Sequence, residues 1–185
     1  MFTTEFEAKR AMHSAILLVA SLSFAFECQA AVRFANSFQS HMVLQRAANT
    51  SIWGFSIAGT TVHVTFDSVV NGPVVTDSAG KWHLALNTAD SPDTNYTVTA
   101  TCSDGTSVSI EDILIGEVFL CSGQSNMDMP VSYAFNSSNE IYAAGFLTRV
   151  RLFGTATVKA TTPQDDVVVS LNWTPPLGSV SCVFS

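Results

Sequence analysis

A series of short β-type segments separated by tight-turn residues is the feature that most constrains the fold of this chain. Between residues 32 and about 110, six segments are rich in threonine, valine, isoleucine and aromatic residues: TSIWGF, TTVHVTF, GPVVTD, KWHLALN, NYTVTATC and TSVSIED. Turn signals such as AGT, NGP, DSAGK, SPDTN and SDGT separate them. Since many short strands at this spacing are typical of two packed sheets, we predict a β-sandwich domain over residues 31–112.

The sequence pattern changes after residue 112. ILIGEVFLC, residues 113–121, is an almost continuous apolar run, which is typical of a strand covered on both faces in a parallel sheet. A polar turn follows, then MPVSYAFNSSNEIYAAGF, which has room for one or two short helices, and then a second apolar segment, TRVRLFGTATV. Strand, crossover and strand predict the start of an α/β domain with a parallel sheet over residues 113–185. Because such a domain needs more strands than two, we expect it to be truncated.

The first thirty residues have the layout of a secretory signal peptide. Lys9 and Arg10 precede an apolar segment, Ala15 to Phe26, and small residues follow it. This segment is shorter than the ~20 residues that a membrane-spanning helix requires. We therefore predict that residues 1–30 are removed, and that the mature protein has no membrane span and is secreted or lysosomal.

The charge of the chain excludes one large class of partners. Fifteen acidic residues against eight basic ones give a net charge of −7. A protein that binds nucleic acid presents a basic surface to the phosphates, and no basic cluster is visible here. We predict no nucleic-acid partner.

Four N-glycosylation sequons agree with a secretory route. They begin at Asn49, Asn95, Asn136 and Asn172. A single sequon arises often by chance, whereas four in a mature chain of this length are stronger evidence. The cysteines, in contrast, show no spacing that is typical of metal ligands, so we predict no metal site.

Ser125 is the residue whose surroundings suggest chemistry. It follows the apolar run in the stretch CSGQSN, where Gly123 permits a tight turn. A serine becomes a nucleophile when a base removes its proton and hydrogen-bond donors stabilise the oxyanion. Free N–H groups at the start of a helix can be such donors. On local chemistry alone, the alternative that Ser122, Ser125 or Asn126 merely caps the next helix is favoured.

A longer match reverses that preference. GEVFLCSGQSNMDM, residues 116–129, resembles the first catalytic block of the sialate O-acetylesterases, which belong to the SGNH/GDSL-like hydrolase superfamily. Upstream, HMVLQR, IWGFSIAGTTVHV and DSAGKWHLAL resemble the N-terminal β-domain of that family. Downstream, VRLFGTATVKATTPQDDVVVSLNWTPP resembles the segment that follows the block. The resemblance runs from about Ala31 to Pro176 in the order of the family.

The resemblance implies a serine esterase that removes O-acetyl groups from sialic acids or sialoglycans. Ser125 would be the nucleophile, and its backbone N–H would be one oxyanion donor. An acetyl-serine intermediate would form and then be hydrolysed by water. The resemblance implies no metal and no organic cofactor.

The later catalytic blocks of the family are missing from this chain. The family takes its other oxyanion donors from a glycine and an asparagine, and its general base from the histidine of an Asp-x-x-His element. Here all histidines precede Ser125, at His13, His41, His63 and His83. The carboxylates near the turn, Glu117 and Asp128, are expected to be surface or capping groups. We therefore expect an N-terminal partial form with little or no esterase activity of its own.

A function of a different class stays open at this point. Residues 31–112 are the domain expected to be complete, which would suit a secreted, non-catalytic β-sandwich module that binds glycans or another protein. Trp53, Trp82 and Trp173 could stack on sugar rings, although burial is the commoner role of tryptophan in a sandwich.

Overall fold

The computed structural model describes residues 31–123 and 129–176. Eight strands lie in the first part: β1 Arg33–Phe34, β2 Val43–Gln45, β3 Thr50–Phe55, β4 Thr61–Phe66, β5 Val69–Val75, β6 Lys81–Leu86, β7 Tyr96–Cys102 and β8 Ser107–Gly116. The second part holds a 3₁₀ helix, Val131–Tyr133, then helix α1, Ser137–Ala144, and strands β9, Leu152–Thr155, and β10, Val169–Thr174.

The strands of the first part form two sheets. The larger sheet has the order β2-β8-β7-β4-β5, in which β2 and β8 are parallel and the other neighbours are antiparallel. The smaller sheet, β1-β3-β6, is antiparallel. The six segments predicted as strands between residues 32 and 110 correspond to β3 to β8, so the mainly β character of this region is confirmed.

Both sheets contribute to one hydrophobic core. β4 alternates partly buried and buried residues along its whole length, as expected for a strand with one face on the core. Ile52 and Trp82 from the smaller sheet and Val62 and Val98 from the larger one are at most 1% exposed. Each such side chain stabilises the fold by about 2 kcal/mol through the apolar area that it removes from water.

Strand β8 contains a β-bulge that changes its partners. Tyr96 pairs with Ile113 and Val98 with Ile110, so two residues of β8, Glu111 and Asp112, lie opposite one residue of β7. Asp112 has a left-handed backbone, with φ of 55°. Beyond the bulge, β8 also pairs with β2. The domain boundary predicted at residue 112 thus falls within a strand, at the bulge.

The prediction of one buried strand over residues 113–121 is confirmed for residues 113–116, which pair partly in parallel with β2, and is wrong for residues 117–121. β8 ends at Gly116, opposite the last residue of β2, and the next four residues form no strand. Phe119 and Leu120 are 83% and 93% exposed. The physical reason is that β2 is too short to pair with residues beyond Gly116. The apolar run is therefore longer than the strand that pairs with it.

The region after residue 129 is only partly as predicted. The short helices are confirmed, but α1 buries no side chain, and Tyr133, Phe135 and Tyr142 are exposed. β9 pairs antiparallel with β10 and not in parallel with β8, in the part of the chain that the structure describes. Strand β10 was not predicted from the sequence; its Trp173 stacks on the ring of Phe153 with centroids 5.1 Å apart.

No helix within residues 31–123 and 129–176 is both long and apolar enough to cross a bilayer.

Candidate functional site

Ser125, the candidate nucleophile, lies outside the described residues, as does Asp128. The chain is described up to Gly123 and again from Met129. The role assigned to Ser125 from the sequence therefore stays a prediction. What the structure does show is how the strand that leads to this segment is held.

The end of β8 is held by the side chain of Gln45, the last residue of β2. Gln45 pairs in register with Gly116, the last residue of β8. Beyond that pair, the backbone N–H of Val118 donates to Oε1 of Gln45 at 2.8 Å, and Nε2 of Gln45 donates to Oε2 of Glu117 at 2.7 Å. Two residues past the end of the strand are thus bound to one amide group. Glu117 is exposed, as predicted.

Arg46, the residue after Gln45, also binds the end of β8. Its backbone N–H donates to the carbonyl oxygen of Gly116 at 2.8 Å. Its guanidinium donates to the carbonyl oxygens of Ile115 at 3.1 Å and Ser91 at 2.7 Å. Because a guanidinium presents its donors in a fixed planar fork, these bonds fix both position and direction.

A second polar cluster surrounds Asp112 at the bulge. Its Oδ2 lies 2.7 Å from Nδ1 of His41, and its Oδ1 accepts a bond of 2.6 Å from Nδ2 of Asn95. The guanidinium of Arg151, whose side chain is 8% exposed, lies 3.5 Å from the same carboxylate. Residues that are distant in sequence therefore meet at one carboxylate. We call Asp112, His41, Asn95 and Arg151 the Asp112 cluster.

The electrostatics of the Asp112 cluster favour the ionised carboxylate. The hydrogen bond from His41 is the main reason that the pKa of Asp112 lies below its usual range, and the positive charge of Arg151 adds to it. The backbone of His41 is also left-handed, with φ of 70°. Such a conformation is uncommon for residues other than glycine, and the hydrogen bonds of the cluster help to hold it.

None of the three histidines among the described residues lies at the end of β8. His41 bonds to Asp112, four residues before the last residue of β8, Gly116, and strand geometry puts these two positions about 13 Å apart. His63 and His83 lie within β4 and β6, opposite Thr101 and Trp53, as ordinary members of their strands.

The tryptophans are mostly enclosed by the fold. Trp82 is 1% exposed and meets the ring of Phe34 edge-on at 5.6 Å. Trp53 and Trp173 are partly buried, and Trp53 packs edge-on against Phe38 at 4.5 Å. The burial of these side chains leaves no fully exposed indole for stacking on a sugar in the described part of the chain.

All four sequon asparagines are exposed: Asn49, Asn95, Asn136 and Asn172. Their exposure is compatible with the predicted glycosylation, which nothing in the structure tests. No group of three or more histidine, cysteine or acidic side chains suited to a metal ion occurs among the described residues.

Neither the contacts of Gln45 nor the Asp112 cluster was predicted from the sequence. Gln45 and Glu117 are 72 residues apart, and His41 and Asp112 are 71 apart. No local pattern connects positions at such separations. The nearest signal was the segment HMVLQR, which stood out by its resemblance to a family but not by any chemistry of its own.

Comparison with known proteins identifies relatives in one group. The chain is 34% identical over 154 residues to the sialate O-acetylesterase of Mus musculus and 32% identical over 154 residues to that of Homo sapiens. Each match covers 78% of this chain, but the chain spans only 28% and 29% of those relatives. No family model matches.

The fold has a counterpart among solved structures. A carbohydrate acetylesterase from Xanthomonas citri superposes with a TM-score of 0.70 at 24% identity, over 83% of this chain and 34% of that one. At that identity the likeness concerns the fold alone. The resemblance predicted from the sequence is confirmed: this chain is a relative of the sialate O-acetylesterases and matches less than a third of their length.

Proposed function

We propose that this chain is the N-terminal, nucleophile-bearing part of a serine esterase that removes O-acetyl groups from sialic acids or sialoglycans. The observation that carries the proposal is the 34% identity to the mouse sialate O-acetylesterase over 154 residues. The stretch CSGQSN gives this part of the chain its candidate nucleophile, Ser125.

The proposed reaction is a two-step acyl transfer. Oγ of Ser125 gives up its proton and attacks the acetyl carbonyl carbon, the bond to the sugar oxygen breaks, and that oxygen takes up the proton and leaves as a hydroxyl. Water then attacks the acetyl-serine ester and releases acetate and free serine. The backbone N–H of Ser125 is one donor to the oxyanion in each step. The reaction needs no metal and no organic cofactor.

For the architecture, we propose a β-sandwich over residues 31–112 followed by the beginning of an α/β domain over residues 113–185. The single core shared by the two sheets supports the sandwich. The exposed apolar side chains after β8, with Phe119, Leu120 and Phe135 the most exposed, support an α/β part that is incomplete. The 28% coverage of the mouse relative agrees with this.

We further propose that the chain alone has little or no esterase activity. A general base must come within about 3 Å of the serine oxygen, or act through one water. All four histidines precede Ser125 in the sequence. The one that is bonded to a carboxylate, His41, lies beside Asp112, about 13 Å of strand away from the end of β8 at Gly116.

The secretory assignment completes the proposal. Residues 1–30 would be a signal peptide, and the mature protein would be secreted or lysosomal and glycosylated at Asn49, Asn95, Asn136 and Asn172. The exposure of the four asparagines supports this.

The experiment that tests the proposed function replaces the matching segment of the mouse relative with residues 31–176 of this chain. We expect the chimera to release acetate from an O-acetylated sialic acid, and Ser125→Ala to abolish that release. Ser122→Ala, a neighbouring serine, is the matched control and should retain it. A folded chimera whose turnover survives Ser125→Ala would overturn the assignment. The 185-residue chain itself, in the same assay, should release no acetate above background.

A second candidate is a secreted, non-catalytic module that binds glycans or another protein. The completeness of the core formed by β1 to β8 favours it, since this part has two sheets and a common interior. A shortened chain, residues 31–116, keeps the whole of β8. Glycan binding that is retained by this shortened chain, and is unaffected by Ser125→Ala in the full chain, would favour the module.

A further inference from the structure

The two residues that follow β8 are held in an unusual way. In the part of the chain that the structure describes, neither Glu117 nor Val118 lies in a strand. Their hydrogen bonds to the sheet go instead to the side-chain amide of Gln45. The amide carries an acceptor oxygen and N–H donors in one plane, so it can accept and donate as a peptide group does. β2 ends at Gln45, and the side chain of Gln45 therefore makes the next hydrogen bonds to the chain beyond β8.

The backbone of Gln45 is itself rigidly placed. Its carbonyl oxygen accepts two bonds of 2.7 Å, from the hydroxyls of Thr50 and Thr88. Both threonines are buried, and their hydroxyls lie 3.0 Å from each other. The next residue, Arg46, is bonded to Gly116. Because the backbone of Gln45 is fixed in this way, its side chain also restricts the positions of Glu117 and Val118.

We propose that Gln45 is a positioning residue for the esterase site: it sets the direction in which the chain leaves β8 toward Ser125. This inference rests on the proposed function, since it concerns the same site. Gln45 does not touch the reacting atoms in this proposal. It acts through residues 117 and 118, which begin the segment that carries the nucleophile.

The hydrogen bonds at position 45 favour glutamine over glutamate and alanine. Glutamate at position 45 would keep the acceptor for the N–H of Val118 but would bring a second carboxylate against Glu117, and like charges repel. Alanine would remove both bonds. The contact can, however, be rebuilt with its polarity reversed. In the double variant Gln45→Glu/Glu117→Gln, the new carboxylate accepts from Val118 and from the amide introduced at position 117.

Hydrogen exchange of the Val118 amide in the 185-residue chain tests the contact directly. We expect Gln45→Ala and Gln45→Glu to speed this exchange about fivefold or more, the factor expected for losing one ordinary hydrogen bond. The double variant should return the exchange rate to within about twofold of the wild type. Gln39→Ala is the matched control, because the bond that Gln39 makes within the described residues goes to a nearby backbone oxygen, that of Asn36.

The role in the reaction is tested in the chimera that carries residues 31–176. We expect Gln45→Glu to lower kcat about tenfold or more with little change in KM, and the double variant to restore it, because a misdirected nucleophile binds substrate but reacts slowly. If Gln45→Glu lost exchange protection and kcat and the double variant restored neither, the proposal would be overturned. An unchanged exchange rate of the Val118 amide in Gln45→Ala would overturn it as well. Ser125→Ala separates the two proposals: it tests the nucleophile but should leave the Val118 exchange rate unchanged.

Discussion

Asp112 offers a test of how the bulge in β8 is stabilised. Its left-handed backbone, with φ of 55°, is unfavourable for most side chains, while its carboxylate holds His41, Asn95 and Arg151. Three substitutions separate these effects. Asp112→Gly relieves the backbone but removes the carboxylate. Asp112→Ala removes the carboxylate and keeps the backbone cost. Asp112→Asn keeps the shape and one acceptor oxygen but loses the charge.

The expected costs follow from exposure and geometry. The bonds to His41 and Asn95 involve exposed partners and are worth about 0.5 kcal/mol each. Arg151 is well covered and loses its opposing charge, which costs about 1 kcal/mol at a separation of 3.5 Å. We expect the free energy of unfolding to fall by about 2 kcal/mol in Asp112→Ala, which loses the contacts and keeps the left-handed backbone cost of the wild type. Glycine removes about 1 kcal/mol of that backbone cost, so we expect a loss of about 1 kcal/mol in Asp112→Gly. Asp112→Asn should lose about 1 kcal/mol.

Urea denaturation followed by tryptophan fluorescence measures these differences, because Trp82 lies in the core. The pH dependence adds a second check. The pKa of Asp112 is lowered in the folded state, so its contribution is fully present above about pH 4 and is lost as the pH falls through the lower folded value. Asp112→Asn should therefore lose less stability than the wild type on acidification below pH 4. Equal stability of the alanine and glycine variants would refute the backbone argument, and parallel acid profiles would refute the electrostatic one.

Two further substitutions test the packing of the smaller sheet and of the β9–β10 hairpin. Gly54→Ala would place a methyl group 2.0 Å from the carbonyl oxygen of Arg33 and 2.6 Å from the ring of Trp82, so β1 must shift, and we expect urea denaturation to show a loss of about 3 kcal/mol. Gly59→Ala, in open space with φ of 79°, is its control and should cost about 1 kcal/mol. Trp173→Phe removes the bond of 2.8 Å from the indole nitrogen to the carbonyl oxygen of Ser37, and we expect a loss of about 1 kcal/mol in the same measurement. An unchanged unfolding midpoint in Trp173→Phe would mean that this bond contributes nothing to stability.

The strands of the first part were predictable because their information is local. In β4, alternate residues face the core, and the sequence TVHVTF shows this period of two, with an apolar residue at every second position. The turn residues between segments mark where each strand ends. The pairing of β2 with β8 was not predictable in the same way, because a three-residue strand gives no periodic signal and its partner lies 71 residues away.

The apolar run after residue 112 shows where local reasoning fails. Ile113, Leu114 and Ile115 are buried and Phe119 and Leu120 are exposed, although both groups belong to one continuous apolar stretch. Hydrophobicity favours burial, but a strand also needs a neighbour for its backbone groups. That neighbour, β2, ends at Gln45, and nothing in residues 113–121 indicates it.

The sequence by itself determined the β-rich character of residues 32–110, the short helices after residue 129 and the resemblance to the sialate O-acetylesterases, because periodicity, turn residues and motif order are properties of neighbouring positions. The tertiary structure alone decided that Gln45 holds the end of β8 and that Asp112 joins His41, Asn95 and Arg151. Contacts of this kind depend on which distant segments the folded core brings within about 3 Å, and that distance has no counterpart in the order of residues along the chain.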